Sequence, residues 1–440
     1  MLKLAIKKCR HSRIRLLDVG LGRLSSWTLP LFSKTYRNCG VRAVAAERPP
    51  RWPHSTLRRM QLAALLLSPV FILLILWDAF ETVILPRRVT RKVRFTRLTY
   101  LLSWPLWSYI PRRIKPSKAR ENFLSFYGPL SIFFLLGLWA LGLVSGFGFL
   151  QWGLRAPIAS SEGETGLWVD LYLSGTTFFT LGLGDVIPRD PVSRVLTVVE
   201  AGLGFGFLAL VIGYLPVLYS AFSRREVQIS MLDARAGSPP SAAEILARLG
   251  RANALHQLPR FLSDWEVTGA EIMESHISYT LLVYYRSHHD NQSWLGSIAS
   301  VLDTCAIVLA GIEKIDRWQA QMTFAMLRHC LVDLAQMVNQ PPRPPQHDRL
   351  PTADLEELYE YLDQAGVRLM RTPEATARLS KLRSMYEPYV AALGEYLVLA
   401  MPPWIPLGHV RDNWKTSAFE RTGGITIEPR PSHEILHDDH

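Results

Sequence analysis

The chain has 440 residues, enough for more than one domain, and a formal net charge of +11. Its basic residues crowd into the first 59 positions and into 87–120, beside apolar runs. No zinc-finger spacing or base-reading basic helix accompanies them, so the charge points to lipid headgroups and membrane topology and away from nucleic acid. Cys9, Cys39, Cys305 and Cys330 lie far apart without CxxC or Cys/His spacing, which indicates neither a disulfide framework nor a zinc site and suits a reducing compartment.

In chain order, residues 1–59 form a basic leader in which Leu2-Lys3-Leu4-Ala5-Ile6 runs into basic residues and not into the apolar core of a signal peptide. Gln61 to Leu85 is mostly apolar and long enough to cross a hydrocarbon core of about 30 Å. Leu98 to Ile110 is too short to cross, is broken by Pro105 and is rich in aromatics, so it reads as lying in the interface. Phe126 to Trp152 and Val192 to Phe222 complete three spans. Arg87, Arg88, Arg91, Lys92, Arg94, Arg97, Arg112, Arg113, Lys115, Lys118 and Arg120 separate the first two spans, whereas 153–167 carries Arg155 with Glu162 and Glu164. The positive-inside rule then places the basic loop and residues 223–440 in the cytoplasm and the N-terminus outside. A basic leader resists translocation. The expectation is therefore a chain that starts at Met60, the alternative being a cytoplasmic leader with a re-entrant first span. Asp78 and Glu81 share one face just before Pro86-Arg87-Arg88 and are expected to form a salt link with the basic loop. No span carries arginines at three-residue intervals, so none reads as a voltage sensor.

Residues 223–240 are expected to form a linker that ends in the turn-forming run Asp233–Pro240. Helical spacing follows over 241–252, 260–286, 293–312, 317–339, 353–365 and 373–399, with Asp264, Thr352 and Thr372-Pro373-Glu374 as start signals. Alternating strands are absent from the pattern, so 241–400 reads as a cytosolic all-helical domain with a stiff connection at Gln340–Pro345, followed by a loosely ordered tail at 401–440. Ile298–Ile312 is apolar but short, holds Asp303 and sits among polar helices, which predicts a buried core helix and not a fourth span. Arg286–Asn291 together with Arg328, His329 and Asp333 could form a ligand or metal site, although caps and surface pairs explain them more simply. No strand-GxGxxG-helix unit follows residue 222, and no ATP site or catalytic triad is visible, so neither an enzyme nor a bound cofactor is expected.

Between spans two and three, Trp168–Phe179 makes a helix about 18 Å long, able to go only halfway across a membrane, with its C-terminal partial negative charge favouring a cation. Thr180-Leu181-Gly182-Leu183-Gly184-Asp185 follows, in which glycines alternate with larger residues and permit successive carbonyls to turn to one side. Those carbonyls and the Thr180 hydroxyl replace the hydration shell of a hard, weakly polarising cation. A loop that merely contains glycines is the plain alternative. The half-length helix before it, a full span on each side and Pro188 after it make the signal specific, because non-helical backbone at membrane depth is tolerated only inside protein or along a cavity.

These residues resemble the potassium-channel pore family, whose filter motif is Thr-Val-Gly-Tyr-Gly-Asp. Thr180, Gly182, Gly184 and Asp185 match it, Leu181 replaces valine, Thr177 falls at the family's pore-helix threonine, and Pro188 suits its outer mouth. Gly204 falls where the inner helix of the family has a hinge glycine, and the resemblance spans about 124–222. Leu183 departs from the family's aromatic residue, which packs outward against the pore helix; some two-pore-domain members carry Gly-Leu-Gly.

The resemblance implies an all-α membrane protein. Its module at 124–222 comprises outer helix 126–152, pore helix 168–179, filter 180–185 and inner helix 192–222, preceded by an extra transmembrane helix within 60–123 and followed by the cytosolic helical domain. It implies potassium held by the backbone of Thr180, Leu181, Gly182 and Leu183, with Gly184 in the same filter and with Asp185, Pro188 and Thr177 in support. One pore loop per chain requires four copies, so the expected partners are itself, potassium ions and the lipid bilayer, in a bacterial inner membrane. Glu200, Gly204 and Pro216 are candidates for gating, against packing alone for the glycine and a hydrogen bond to the pore helix for the acid. A weakly selective sodium/potassium channel, or a membrane-anchored signalling or scaffold protein with a vestigial pore, remain alternatives.

Overall fold

The computed structural model describes residues 54–85, 94–115, 117–155, 157–160, 163, 165–288, 291–312 and 315–406. The leader up to residue 53, Arg87, Arg88, Arg91, Lys92, His289, Asp290 and the tail from 407 lie outside the described residues.

The first span is a continuous helix, α1 (His54–Val83), of 30 residues and therefore about 45 Å. It runs antiparallel to α4 (Tyr127–Leu154). Small residues on α4 set the approach: Ile75 lies on Gly142, Ile72 on Gly146, and a Cβ on Gly153 would meet the Leu65 backbone nitrogen at 2.7 Å. The re-entrant alternative is thereby corrected, because this pairing carries a continuous α1 along α4 from Trp139 to Gly153. The helix begins before Met60.

The short helix α2 (Phe95–Ser108) follows, then α3 (Lys118–Ser125). Asp78 does not make the expected salt link. It is buried beneath the first turn of α2, where it accepts from the Thr96 N–H at 3.0 Å, the Thr96 hydroxyl at 2.6 Å and the Trp139 indole N–H at 3.1 Å. A free helix N–H and the positive end of the α2 dipole satisfy the carboxylate in place of an arginine. Glu81 does reach the basic segment, at 3.5 Å from Arg94. As expected of an interfacial helix, α2 exposes Leu98, Leu101, Leu102 and Leu106. Its other face, however, is covered by protein, and Trp104 is buried between the rings of Tyr127 and Tyr284, with centroids at 4.8 and 5.1 Å.

Beyond α4 come strand β1 (Ile158–Ser160), helix α5 (Leu167–Phe178) and strand β2 (Val186–Pro188), which pairs antiparallel with β1. Helix α6 (Pro191–Ala236) then runs for 46 residues, about 69 Å. The linker expected over 223–240 is therefore helical to Ala236 and turns only at Gly237–Pro240. The helix persists because Ile229, Leu232 and Ala236 continue the buried face of the span into the helical domain.

That domain contains α7 (Ala242–Arg251), α8 (Leu258–Ser278), α9 (Trp294–Gly311), α10 (Trp318–Met337), α11 (Thr352–Gln364), α12 (Pro373–Ser384) and α13 (Glu387–Leu397). Four described helical segments are long and apolar enough to cross a membrane, and α9 is one of them; yet 94% of its apolar window is enclosed by protein, against 11% for α6. It is the domain's core. Asp303, buried within α9, is matched by Arg349 at 2.5 Å and the Tyr386 hydroxyl at 2.5 Å.

Three sequence boundaries are corrected. Asp264 lies inside α8, which starts at Leu258 with Pro259 in its first turn. The helix expected to reach 286 stops at Ser278 and passes into a tight turn at Thr280–Tyr284. The helix expected over 373–399 breaks at Met385–Tyr386, because Pro388 has no N–H and its ring crowds the preceding turn. The tail also begins later than 401: Trp404 is buried and its carbonyl accepts from the Ala243 N–H at 3.0 Å.

The last carbonyls of α13 fasten the domain to the segments beside the span. The Trp104 indole and Arg112 both donate to the Tyr396 carbonyl, at 2.9 and 2.8 Å, and Arg286 donates to Leu397 at 2.6 Å while meeting Glu121 of α3 at 3.2 Å. A second fastening lies on α6. Arg225 is buried and its five N–H groups all find partners: Glu226 takes two at 3.1 and 3.0 Å, and the Leu282 carbonyl, the Tyr285 carbonyl and His276 Nε2 take the others at 3.0, 2.9 and 3.1 Å. These bonds hold the two carbonyls out of helical register and explain why α8 ends where it does.

Arginine has no acceptor, so His276 Nε2 accepts, and Nδ1 carries the hydrogen donated to the Ile272 carbonyl at 2.8 Å. Burial, and then the adjacent Arg225 guanidinium, hold the imidazole well below its ordinary value of 6.5. Below 6.5 the unfolded histidine binds a proton that the folded one refuses, so this contribution to stability is present above 6.5 and falls with acidification by about 1.4 kcal/mol per pH unit. Thermal unfolding of the purified protein should show this loss, and His276→Gln, which keeps an acceptor and a donor, should flatten it.

Candidate ion-conduction site

Helix α5 has 12 residues, about 18 Å, and is held between α4 and α6 by buried Leu173, Ser174 and Phe178. Its end leads directly into 180–185. The Thr180 N–H donates to Thr177 at 2.9 Å, and the Leu181 N–H donates to the Thr176 carbonyl at 2.8 Å, so the last turn of α5 captures the start of the segment.

The backbone from 180 to 184 alternates. Thr180, Gly182 and Gly184 have φ of 56°, 56° and 77°, whereas Leu181 and Leu183 between them remain at negative φ. Alternation of hand along an extended segment turns successive carbonyls toward one side. Glycine accepts positive φ freely, but Thr180 is β-branched and adopts it under strain, which the two bonds to α5 offset. Leu181 and Leu183 are 61% and 63% exposed, so among the described residues neither side chain is enclosed by its own chain.

The outer end of the segment is tied down twice. The Tyr172 hydroxyl, on α5, donates to Asp185 Oδ2 at 2.8 Å, and Asp185 Oδ1 accepts from the Val186 N–H at 3.1 Å. Pro188 closes the strand pair opposite Ile158, and its carbonyl accepts from Arg194 at 3.2 Å. Asp190 then caps α6 by accepting from the Ser193 N–H at 3.0 Å.

Gly204 sits where α6 crosses the end of α5. A Cβ there would come to 1.9 Å from the Phe178 carbonyl oxygen, so the glycine is required for close packing under the 180–185 segment. Gly202, Gly206 and Gly213 face open space instead. Glu200, one turn earlier and 1% exposed, bonds directly to Ser174 of α5, whose Oγ also lies 2.7 Å from the Val144 carbonyl. The hydroxyl has a single hydrogen for these two oxygens. Shared between them, it ties Glu200 to Ser174, which makes the side chain a strut between α6 and α5. Pro216 is exposed and lies within α6 without ending it, at a position that leaves the Ile212 carbonyl without its helical partner.

The residues suggested as a ligand or metal cluster are divided. His288 lines a groove with Glu226, whereas Arg328, His329 and Asp333 line a separate cavity of about 570 Å³ with Phe324 and Arg378. Arg286 is engaged with α13. Among the described residues no three metal-binding side chains converge. Sequence reasoning missed Tyr172, Ser174 and Thr176. The available signal was polarity in an apolar setting, since Ser174 and Glu200 are both polar groups at membrane depth.

A family model described as ion channel matches residues 134–220, which comprise most of α4, α5, the 180–185 segment and the first part of α6. An uncharacterized membrane protein of Bacillus subtilis (strain 168), YdjJ, is 23% identical over 219 residues, 49% of this chain and 62% of its own length. No solved structure matches. The fold and the family match together define an all-α membrane protein that contains an ion channel module.

Three substitutions separate packing from hydrogen bonding here. Gly204→Ala must push α5 away from α6 and should lower both thermal stability and ion flux. Glu200→Gln keeps a hydrogen donor toward Ser174 and should leave flux within about twofold of wild type, whereas Glu200→Ala should cost about 1–3 kcal/mol in unfolding measurements.

Proposed function

We propose that this chain is one subunit of a homotetrameric channel that passes potassium down its electrochemical gradient through a filter made of four copies of Thr180–Gly184. The observation that carries the reading is the alternation of positive φ at Thr180, Gly182 and Gly184. Four such segments around an axis present rings of carbonyl oxygens that substitute for the hydration shell of the ion, with the Thr180 hydroxyls at the inner end. The C-terminal end of α5 lends its partial negative charge to the same path. One chain leaves this segment bare, and the exposed face of α6 is apolar through the membrane, which suits closure by sister subunits.

Asp185, through Tyr172, and Pro188, through Arg194, support the outer end of the filter, and Thr177 supports its start. Arg112, within the basic segment, bonds to the helical domain, so the positive-inside rule favours a cytoplasmic domain, and we place the chain in a bacterial plasma membrane. Because Arg225 binds α6 to that domain, movement of the domain is transmitted to the helix that lines the inner cavity. No cofactor takes part.

A weakly permselective sodium/potassium channel is favoured by one observation: Leu183 lacks the packing against α5 that holds a filter at fixed width. Reversal potentials in liposomes under opposed potassium and sodium gradients distinguish the two. Potassium-selective current is expected, a mixed reversal potential supports the second reading, and absence of current with intact oligomers leaves a signalling or scaffold role. Gly182→Ala forces an alanine to φ of 56° in every subunit, at about 1–2 kcal/mol each, and should reduce flux at least about tenfold while the oligomer persists.

A further inference from the structure

The face of α6 that its own subunit leaves uncovered runs unbroken along the helix. Its buried face passes through Glu200, Gly204, Leu218, Arg225, Ile229 and Ala236. On the opposite side, Val198, Phe205 and Ile212 are exposed at seven-residue spacing, and after one eight-residue step Ser220, Val227 and Ala234 form a second exposed series at the same spacing on that side of the helix. The helix is about 69 Å long, more than twice the hydrocarbon thickness of about 30 Å, so the second series lies beyond the membrane. Lipid cannot cover it there.

That second series has a particular character. Ser220, Ser223, Val227, Ser230 and Ala234 form a narrow strip of small residues with one branched aliphatic, the spacing of a helix-to-helix seam, and contain no charge. Beside the strip a groove of about 420 Å³ is lined by Ser223, Glu226, Val227, Ser230, Met231 and His288. Val227 is 53% exposed and Met231 44% exposed, both outside the bilayer. The flanking Arg224 and Arg235 are exposed cations, while Glu226 offers a carboxylate in the groove.

We propose that Ser220–Ala234 is a subunit interface whose partner is the same stretch of a second copy of this chain, in a parallel bundle that prolongs the pore axis between the helical domains. The inference rests on the tetrameric channel reading, under which the membrane half of α6 surrounds a common axis. An unbroken helix carries that arrangement onward, and the strip of small residues permits the close approach that convergence demands. The groove beside Glu226 accepts side chains of the neighbour.

Disulfide trapping tests this in the full-length chain in membranes, with Cys9 and Cys39 replaced by serine; Cys305 and Cys330 are buried. Val227→Cys, and separately Met231→Cys, are oxidised with copper phenanthroline, which takes the two electrons and leaves two protons as the S–S bond forms. Proximity should give at least about tenfold more reducible dimer than Lys381→Cys on the exposed side of α12. Native mass measurement of the same preparation reports the oligomer independently. If it is a tetramer and neither position cross-links, the proposal is overturned while the channel reading stands. If it is a monomer, the tetrameric reading itself fails. Protection of these thiols from maleimide without cross-linking identifies another cover, such as residues 407–440, and also overturns the proposal.

Discussion

The structure depends on α6 being a single rigid body gripped at two distant points. At Gly204 it lies against the backbone of Phe178 with no room for a Cβ, and at Arg225 it is locked into the helical domain by three hydrogen bonds, to His276, Leu282 and Tyr285. A helix transmits displacement along its axis because its hydrogen bonds lie along that axis. The segment at 180–185 and the domain are therefore attached to one continuous helix. The Ser174–Glu200 strut adds a second contact between α6 and α5, beside that of Gly204 with Phe178.

Buried charge is managed by a common rule in both halves. Asp78, Arg225 and Asp303 each sit where solvent is excluded, and each is surrounded by several complementary groups and not by one ion partner. Desolvation outweighs a lone buried salt bridge, so distributed hydrogen bonds are the stable solution. Each cluster joins elements far apart in sequence: Asp78 joins α1, α2 and α4, Arg225 joins α6 to α8 and the turn after it, and Asp303 joins α9 to Arg349 and Tyr386. The polar groups thus fix which helices meet, while the apolar surface supplies most of the stabilisation.

What the sequence disclosed follows from the range of the forces involved. The existence of the spans, the half-length α5 and most domain helices is fixed by local periodicity, and the limits of α4, α5 and most domain helices fall within a few residues of the expected ones. The alternating backbone at 180–184 was legible because glycine at every second position has few other uses. The continuation of α6 past Phe222 was not, because serine and arginine at 223–225 look like a membrane boundary until the partners of Arg225 are known. Gly204 likewise suggested a hinge from its position, whereas its neighbour, the Phe178 carbonyl, comes from another helix. Tyr172 reaching Asp185 is a contact of the same kind, invisible to spacing rules.

Selectivity turns on how firmly the 180–184 segment holds its width. Its inner end is bonded to α5 through Thr176 and Thr177, and its outer end through Tyr172 and Asp185. Between these ties the backbone of Leu183 has no support from its own chain, and an aliphatic side chain offers no hydrogen bond to a neighbour's. In the proposed tetramer the middle of the segment would rely on dispersion contacts with adjacent copies, which are short in range and individually weak. Under the tetrameric reading proposed above, a segment braced at both ends and soft at Leu183 would adapt its carbonyls to ions of differing radius, and the ratio of potassium to sodium passage would measure how well four leucines pack around one axis.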